Sequence, residues 1–347
     1  MQKSEKIIII FLLICIIIVN IFIFFIYKMN IDMDKSLENK IVYVTRTGKT
    51  AYEIYQNDKI IEIFDNYEEA LEYAKKYENS SIKKSGDYKW VWDSNPPYEV
   101  YQEYNLLKKF VDYKEALEYA KKYENSTIFF RESNTFIWDS NTKIPNNYQI
   151  YNVPRISQYP ELFRGCEVTS LTMLLNYKGI NVNKMELAEK IKKEPFIFTL
   201  NNNNIKYNGN PHQGFVGDIY SKENDGYGVY NEPIYELLKQ YIGGEALNLT
   251  GANFKDLYYY INKNSPIWVI INSRFKPLSE DEFDYLNTTR GNVKMTYREH
   301  SVLITGYDNE YIYYNDPMYP DMTYKKNKNE FIKAWEQMGK QAITYVP

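Results

Sequence analysis

The sequence predicts an α+β protein built of several parts, and three observations carry that reading. Residues 7–27, "IIIIFLLICIIIVNIFIFFIY", form one apolar run. Residues 43–141 hold a tandem duplication. From about Tyr148 onward, helix patterns come first and strand patterns later, which is the α+β order rather than βαβ alternation.

The apolar run has about the length a helix needs to cross a bilayer, and Asn20 is its one strongly polar residue. A cleaved signal peptide has a shorter apolar core and a small-residue cleavage site; the run shows neither. Cys15 follows Leu-Leu-Ile rather than a small residue, which argues against lipid attachment. Residues 1–28 therefore read as a short tail and an uncleaved membrane anchor. Lys3 and Lys6 precede the span while Lys28, Lys35 and Lys40 follow it, so the count of positive charges does not set its direction. A six-residue tail before the span and a long folded region after it place the bulk of this single-pass chain outside the cytoplasm.

In the duplication, "NYEEALEYAKKYENSSI" (66–82) returns as "DYKEALEYAKKYENSTI" (112–128), identical at 14 of 17 positions and offset by 46 residues. The offset also relates "YEIYQ" at Tyr52 to "YEVYQ" at Tyr98 and "WDSN" at Trp92 to "WDSN" at Trp138. Each copy, 43–95 and 96–141, reads as strand, strand, helix, then strand or hairpin. Asn66 with Glu69 and Asp112 with Glu115 have the spacing of a capping box. Tyr67, Ala70, Leu71, Ala74 and Tyr77 share one helical face. A unit this small is marginal alone, so the two copies are expected to pack together. Their role reads as a spacer, with a wall or protein ligand as the rival. Gly48-Lys49-Thr50 imitates the end of a phosphate-binding loop, but Tyr43 stands where its first glycine belongs and no helix follows, so nucleotide binding is rejected. The net charge of −3 supplies no basic field for nucleic acid.

After the polar linker "NTKIPNN" (141–147), residues 148–347 read as one larger domain. Its first strong element follows Cys166: Val168, Leu171, Leu174 and Leu175 give an apolar face, and Gly179 sits where a C-cap glycine belongs. Only two cysteines exist, one of them in the apolar run, so no intradomain disulfide is expected. A thiol reacts as thiolate, and a helix N-terminus favours the thiolate. Cys166 is placed for that, although a buried lone cysteine is as often inert. A base is needed beside it. Of the two histidines, His212 lies in a Pro/Gly/Asn-rich loop, whereas His300 opens the strand pattern "HSVLITGYD", which turns at Asp308-Asn309 and returns as "YIYYNDP". Folding that hairpin about residue 308 sets 300 opposite 316. Asp316 then orients the imidazole, and Asn315 is the rival if the register slips by one. Gln158 can join the Cys166 backbone N–H in an oxyanion hole. The sequence calls for no cofactor and no metal.

"VPRISQYPELFRGCEVTSLTMLLNYKGI", "GFVGDIY", "GYGVY", "EHSVLITGYD" and "YNDP" together resemble the peptidase C39-like family over about residues 148–347. The resemblance implies a papain-like fold and a cysteine nucleophile. It also implies an upstream glutamine, a histidine at a strand start and an aspartate on the next strand. Those positions are Cys166, Gln158, His300 and Asp316. Gln158 lies eight residues before Cys166, a little farther than is usual for papain-like enzymes. No ATPase motif or exporter bundle accompanies the domain, so the leader-peptide substrates of exporter-fused relatives do not carry over. The implied activity is hydrolysis of a peptide or cell-wall peptide bond through a thioester. An amidase or transglutaminase-like acyl transferase would use the same groups. An inactive papain-like shell used for binding is the reading from another class.

Overall fold

The computed structural model describes residues 3–46, 49–86, 88–199 and 205–347. Gly48 of the rejected phosphate-loop motif lies outside them, as do the first two residues of the tail. The chain divides into two compact units, Met1–Lys89 and Trp90–Pro347.

The first unit opens with α1 (Lys3–Arg46). This helix is long and apolar enough to cross a membrane, a test that a signal sequence near the N-terminus also passes. The Asn20 side-chain amide donates to the Ile16 carbonyl within the helix at 2.8 Å. The helix does not stop where the apolar run stops. Leu37, Ile41 and Val44, at helical spacing, pack against Ala51, Ile60 and Ile63. Lys40 pairs with Glu62 at 2.6 Å. The last three turns of α1 thus belong to the small sheet, where β1 (Tyr52–Gln56) pairs antiparallel with β2 (Lys59–Phe64) and β3 (Ser80–Lys84). Between β2 and β3 runs α2 (Tyr67–Ala74), capped by the Asn66 side chain accepting from Glu69 N. The reciprocal bond that would complete the expected capping box is absent from the described bonds. Strand β4 (Lys89–Asp93) begins at the boundary between the units.

The second unit repeats the pattern with β5 (Tyr98–Gln102), β6 (Asn105–Phe110), α3 (Tyr113–Ala120), β7 (Ser126–Phe130) and β8 (Thr135–Asp139) in the order β6-β5-β7-β8. Pairings recur at the 46-residue offset: Tyr52 opposes Phe64, and Tyr98 opposes Phe110. The register shift after Ile54 recurs after Val100.

Next come β9 (Tyr148–Gln149), α4 (Cys166–Tyr177) and α5 (Lys184–Lys190). Four short strands follow: β10 (Lys193–Glu194), β11 (Ile197–Thr199), β12 (Lys206–Asn208) and β13 (Phe215–Val216). Then come α6 (Asn231–Ile242), β14 (Ala246–Asn248), α7 (Phe254–Ile261) and β15 (Ile267–Asn272). A hairpin of β16 (Asp284–Thr288) and β17 (Gly291–Met295) precedes β18 (Glu299–Tyr307), β19 (Tyr311–Asp316), β20 (Tyr319–Asn327), α8 (Lys328–Gln337) and β21 (Ala342–Tyr345). The main sheet runs β14-β21-β15-β18-β19-β20, with β9 also on β18.

Helix α4 lies at the centre. Every residue from Cys166 to Leu175 is buried, not only the apolar face that its periodicity predicts. Truncating a fully buried leucine such as Leu171 or Leu174 to alanine typically costs about 2–5 kcal/mol.

The linker predicted at 141–147 joins two parts of one unit: Tyr307 OH donates to the Pro145 carbonyl at 3.0 Å. Tyr260 OH donates to Tyr113 OH at 2.7 Å, Tyr259 OH donates to Asp139 at 3.0 Å, and Lys239 pairs with Glu132 at 2.8 Å. A fragment starting at 148 would bare the aromatic face of α7. We expect residues 90–347 to melt cooperatively and at higher temperature than 148–347. Equal melting temperatures by circular dichroism would show that these contacts add nothing.

Candidate active site

Cys166 is the first residue of α4, behind Gly165, in a loop folded tightly enough that a Cβ at Gly165 would lie 2.4 Å from Leu162 Cβ. The indole of Trp268 donates to the Glu167 carbonyl at 2.9 Å and fixes this first turn to β15. Ser170 Oγ donates to the Ser301 carbonyl at 3.1 Å and fixes the next to β18. The cysteine is thereby held against the start of β18, which carries Glu299, His300 and Ser301.

His300 and Asp316 meet as expected. His300 Nε2 and Asp316 Oδ1 are 2.9 Å apart, with both side chains almost wholly buried. Asp316 Oδ1 also accepts from Met318 N at 2.9 Å. The predicted register needs correction. Residue 300 does not oppose 316: Leu303 opposes Asn315, and a register shift between Ile304 and Gly306 makes Tyr307 oppose Ile312. Carried on by one pair, the register sets 302 across from 316. The error is an even number of residues, so the face is kept, and the two side chains meet diagonally.

Asn315 points the other way. Its Nδ2 donates to the carbonyls of Val153 and Pro154 at 3.2 and 3.0 Å, and its Oδ1 accepts from Thr323 at 2.8 Å. It ties the segment ahead of the cysteine loop to the sheet.

Gln158 is buried beside the loop, but its Nε2 donates to the carbonyls of Leu162 and Phe163 at 3.4 and 3.1 Å. Its backbone N–H donates to the Pro317 carbonyl at 2.8 Å. The amide protons expected at an oxyanion hole are committed to shaping the loop that presents Cys166. His212 lies elsewhere, with Nδ1 2.8 Å from Glu232 Oε2.

The thiol itself departs from expectation. Its partner is the next residue: Cys166 Sγ donates to Glu167 Oε2 at 3.3 Å, and no hydrogen bond joins it to His300 among the described residues. Burial, then the charges of Glu167 and Glu299, push the thiol well above its ordinary range, while a hydrogen bond from the Ser301 main chain works in the opposite direction. Burial and the two neighbouring carboxyl groups outweigh the helix N-terminus here. Burial raises Glu167 itself to about 7, opposed mainly by main-chain hydrogen bonds including Val229 N on Oε1 at 2.9 Å. Burial and the charge of Glu167 push Glu299 well above the carboxylate range.

Sequence reasoning missed this acid pair. Each member is the chain neighbour of a singled-out residue, Glu167 after Cys166 and Glu299 before His300. The "GYGVY" motif finds its use here: a Cβ at Gly228 would lie 2.6 Å from Glu167 Oε1 and 3.0 Å from Glu299 Oε2.

Residues 150–343 match the model of the Peptidase_C39 like family. The uncharacterized protein YvpB of Bacillus subtilis (strain 168) is 42% identical over 184 residues, 53% of this chain and 70% of that protein. A crystal structure described as that of a C39-like peptidase from Bacillus anthracis aligns with 45% identity and a TM-score of 0.56, over 58% of this chain and 98% of that one. The matched region holds Cys166, His300 and Asp316 and exceeds half of the chain, so the protein belongs to the peptidase C39-like family.

Proposed function

We propose that the protein is a membrane-anchored cysteine peptidase that acts outside the cytoplasm on a peptide or cell-wall peptide bond. The observation that carries this reading is the buried His300–Asp316 hydrogen bond beside a cysteine at a helix N-terminus, within a C39-like region. Asp316 takes Nε2, so Nδ1 is the ring nitrogen left for the thiol. In the proposed sequence, Sγ turns from Glu167 to Nδ1 and gives up its proton, and the thiolate attacks the scissile carbonyl. The imidazolium then returns the proton to the leaving amine, and water hydrolyses the thioester. The Cys166 N–H at the start of α4 has no intrahelical acceptor and is the donor to the developing oxyanion. Gln158 serves by bracing the loop that leads into α4.

The test is profiling of newly formed peptide termini after the full-length protein, in detergent, acts on a pool of cell-surface peptides. Termini formed by the wild type and absent with Cys166→Ala support the reading. Identical profiles, with folding verified, reject hydrolysis. Formation of new amide bonds instead of new termini would favour acyl transfer.

For the anchor, residues 49–347 are expected to be digested by protease added to intact protoplasts, with the first six residues protected. Protection of the tandem copies in sealed protoplasts would reverse the orientation.

A further inference from the structure

We infer that Cys166, Glu167 and Glu299 form a site for one divalent cation of borderline softness, Zn²⁺ above all, which holds the thiol out of reaction. The binding stands on its own; only its consequence for catalysis rests on Cys166 being the nucleophile.

One donor atom from each of the three residues lies within 4.8 Å of the other two. A tetrahedral Zn²⁺ with bonds of about 2.0–2.3 Å sets its ligand atoms roughly 3.3–3.7 Å apart. Cys166 Sγ and Glu167 Oε2, at 3.3 Å, already have that separation. Closing the set from separations within 4.8 Å needs a shift of Glu299 by no more than about 1.5 Å. A second observation points to a missing partner. Glu299 Oε1 is shut off from solvent and has no hydrogen-bond partner, which is costly for a carboxyl group unless something else pairs with it. Val229 N holds the far oxygen of Glu167, the kind of outer contact that orients a metal-binding carboxylate. Gly228 leaves the space that the two carboxylates occupy.

The charges agree. Three acidic groups meet at the site. The His300 ring is engaged by Asp316, and Lys193, whose charge acts on Glu167, donates to the Ala188 carbonyl. A dication entering between the three donors forms a metal–thiolate bond and releases the thiol and carboxyl protons to solvent. A thiolate ligand favours Zn²⁺ or Cd²⁺ over Mg²⁺ or Ca²⁺. Three protein ligands leave the fourth position to water.

The test is a titration of the full-length protein in detergent with Cd²⁺, following the ultraviolet thiolate-to-cadmium charge-transfer band. We expect one saturable site, tighter at higher pH, lost in Cys166→Ser, which also reports any contribution of Cys15. Glu299→Gln and Glu167→Gln should each weaken it ~10-fold or more. Zn²⁺ should compete with Cd²⁺ and should block alkylation of Cys166. Undiminished affinity in Glu299→Gln would mean a lone thiol binding metal and would overturn the site, as would the absence of a saturable band. Glu299 is only partly buried, so this variant decides even if Glu167→Gln does not fold. Neither readout needs turnover, so a failed peptidase assay leaves the result standing.

Discussion

Replacing Asp316 with alanine is expected to cut turnover by ~10–1000-fold, while replacing Asn315 leaves turnover close to wild type and lowers stability. The loss of an orienting carboxylate in the serine-protease precedent costs on the order of 10⁴; a thiol, more acidic than a serine hydroxyl, leans less on its base. Asp316 is the only partner of His300 Nε2 among the described residues. Without it the ring is free to turn and its tautomer is unspecified. Asn315→Ala removes bonds to Val153, Pro154 and Thr323, worth about 1–3 kcal/mol when buried partners are left unpaired. Steady-state kinetics beside thermal melts separate the two. A folded but inactive Asn315→Ala next to an active Asp316→Ala would mean that Asn315 orients the base.

The second large effect concerns the thiol. Iodoacetamide is expected to modify Cys166 slowly at pH 6–7, more slowly than a model thiol of pKa ~8.5, with the rate climbing as pH rises. The sign follows from a thiol pushed upward by burial and two neighbouring carboxylates: below the raised pKa it stays protonated and unreactive. Glu167→Gln keeps an oxygen for Val229 N and removes the charge beside the sulfur. Each unit by which the thiol falls multiplies the thiolate fraction tenfold, so we expect alkylation at neutral pH to rise ~10-fold. Fast alkylation of the wild type at pH 6–7, unchanged in the variant, would mean that a thiolate–imidazolium pair prevails in solution.

Much of this site is legible in the chain because its parts obey short-range rules. A cysteine after a glycine at a helix start can be read directly, and so can a histidine opening a strand. Asp316 rather than Asn315 meets His300 despite the wrong register because strand faces repeat every two residues: the turn is displaced from residue 308, and with the one-residue bulge after Ile304 the pairing ends two residues from the expected one. The acid pair could not be read the same way. Glu167 in a first helical turn looks like an ordinary complement to the helix dipole; only the packing of α4 against β15 and β18 on one side, and the Gly228 loop on the other, makes it a buried charge beside a thiol. Gln158 shows the converse: spacing suggested a role, and the carbonyls of its own loop claimed the amide.

Helix α1 runs unbroken from the apolar stretch into the first small sheet. About ten residues separate the end of that stretch, Tyr27, from Leu37, where packing begins, and at 1.5 Å per residue they span about 15 Å. In a bilayer such a helix acts as a mast rather than a tether. It fixes both the height and the azimuth of the first copy above the lipid, because no loop absorbs rotation. Inserting two residues near Asp34 would turn that copy by roughly 200° about the helix axis while raising it only about 3 Å. The direction in which that copy faces is therefore a matter of helical phase.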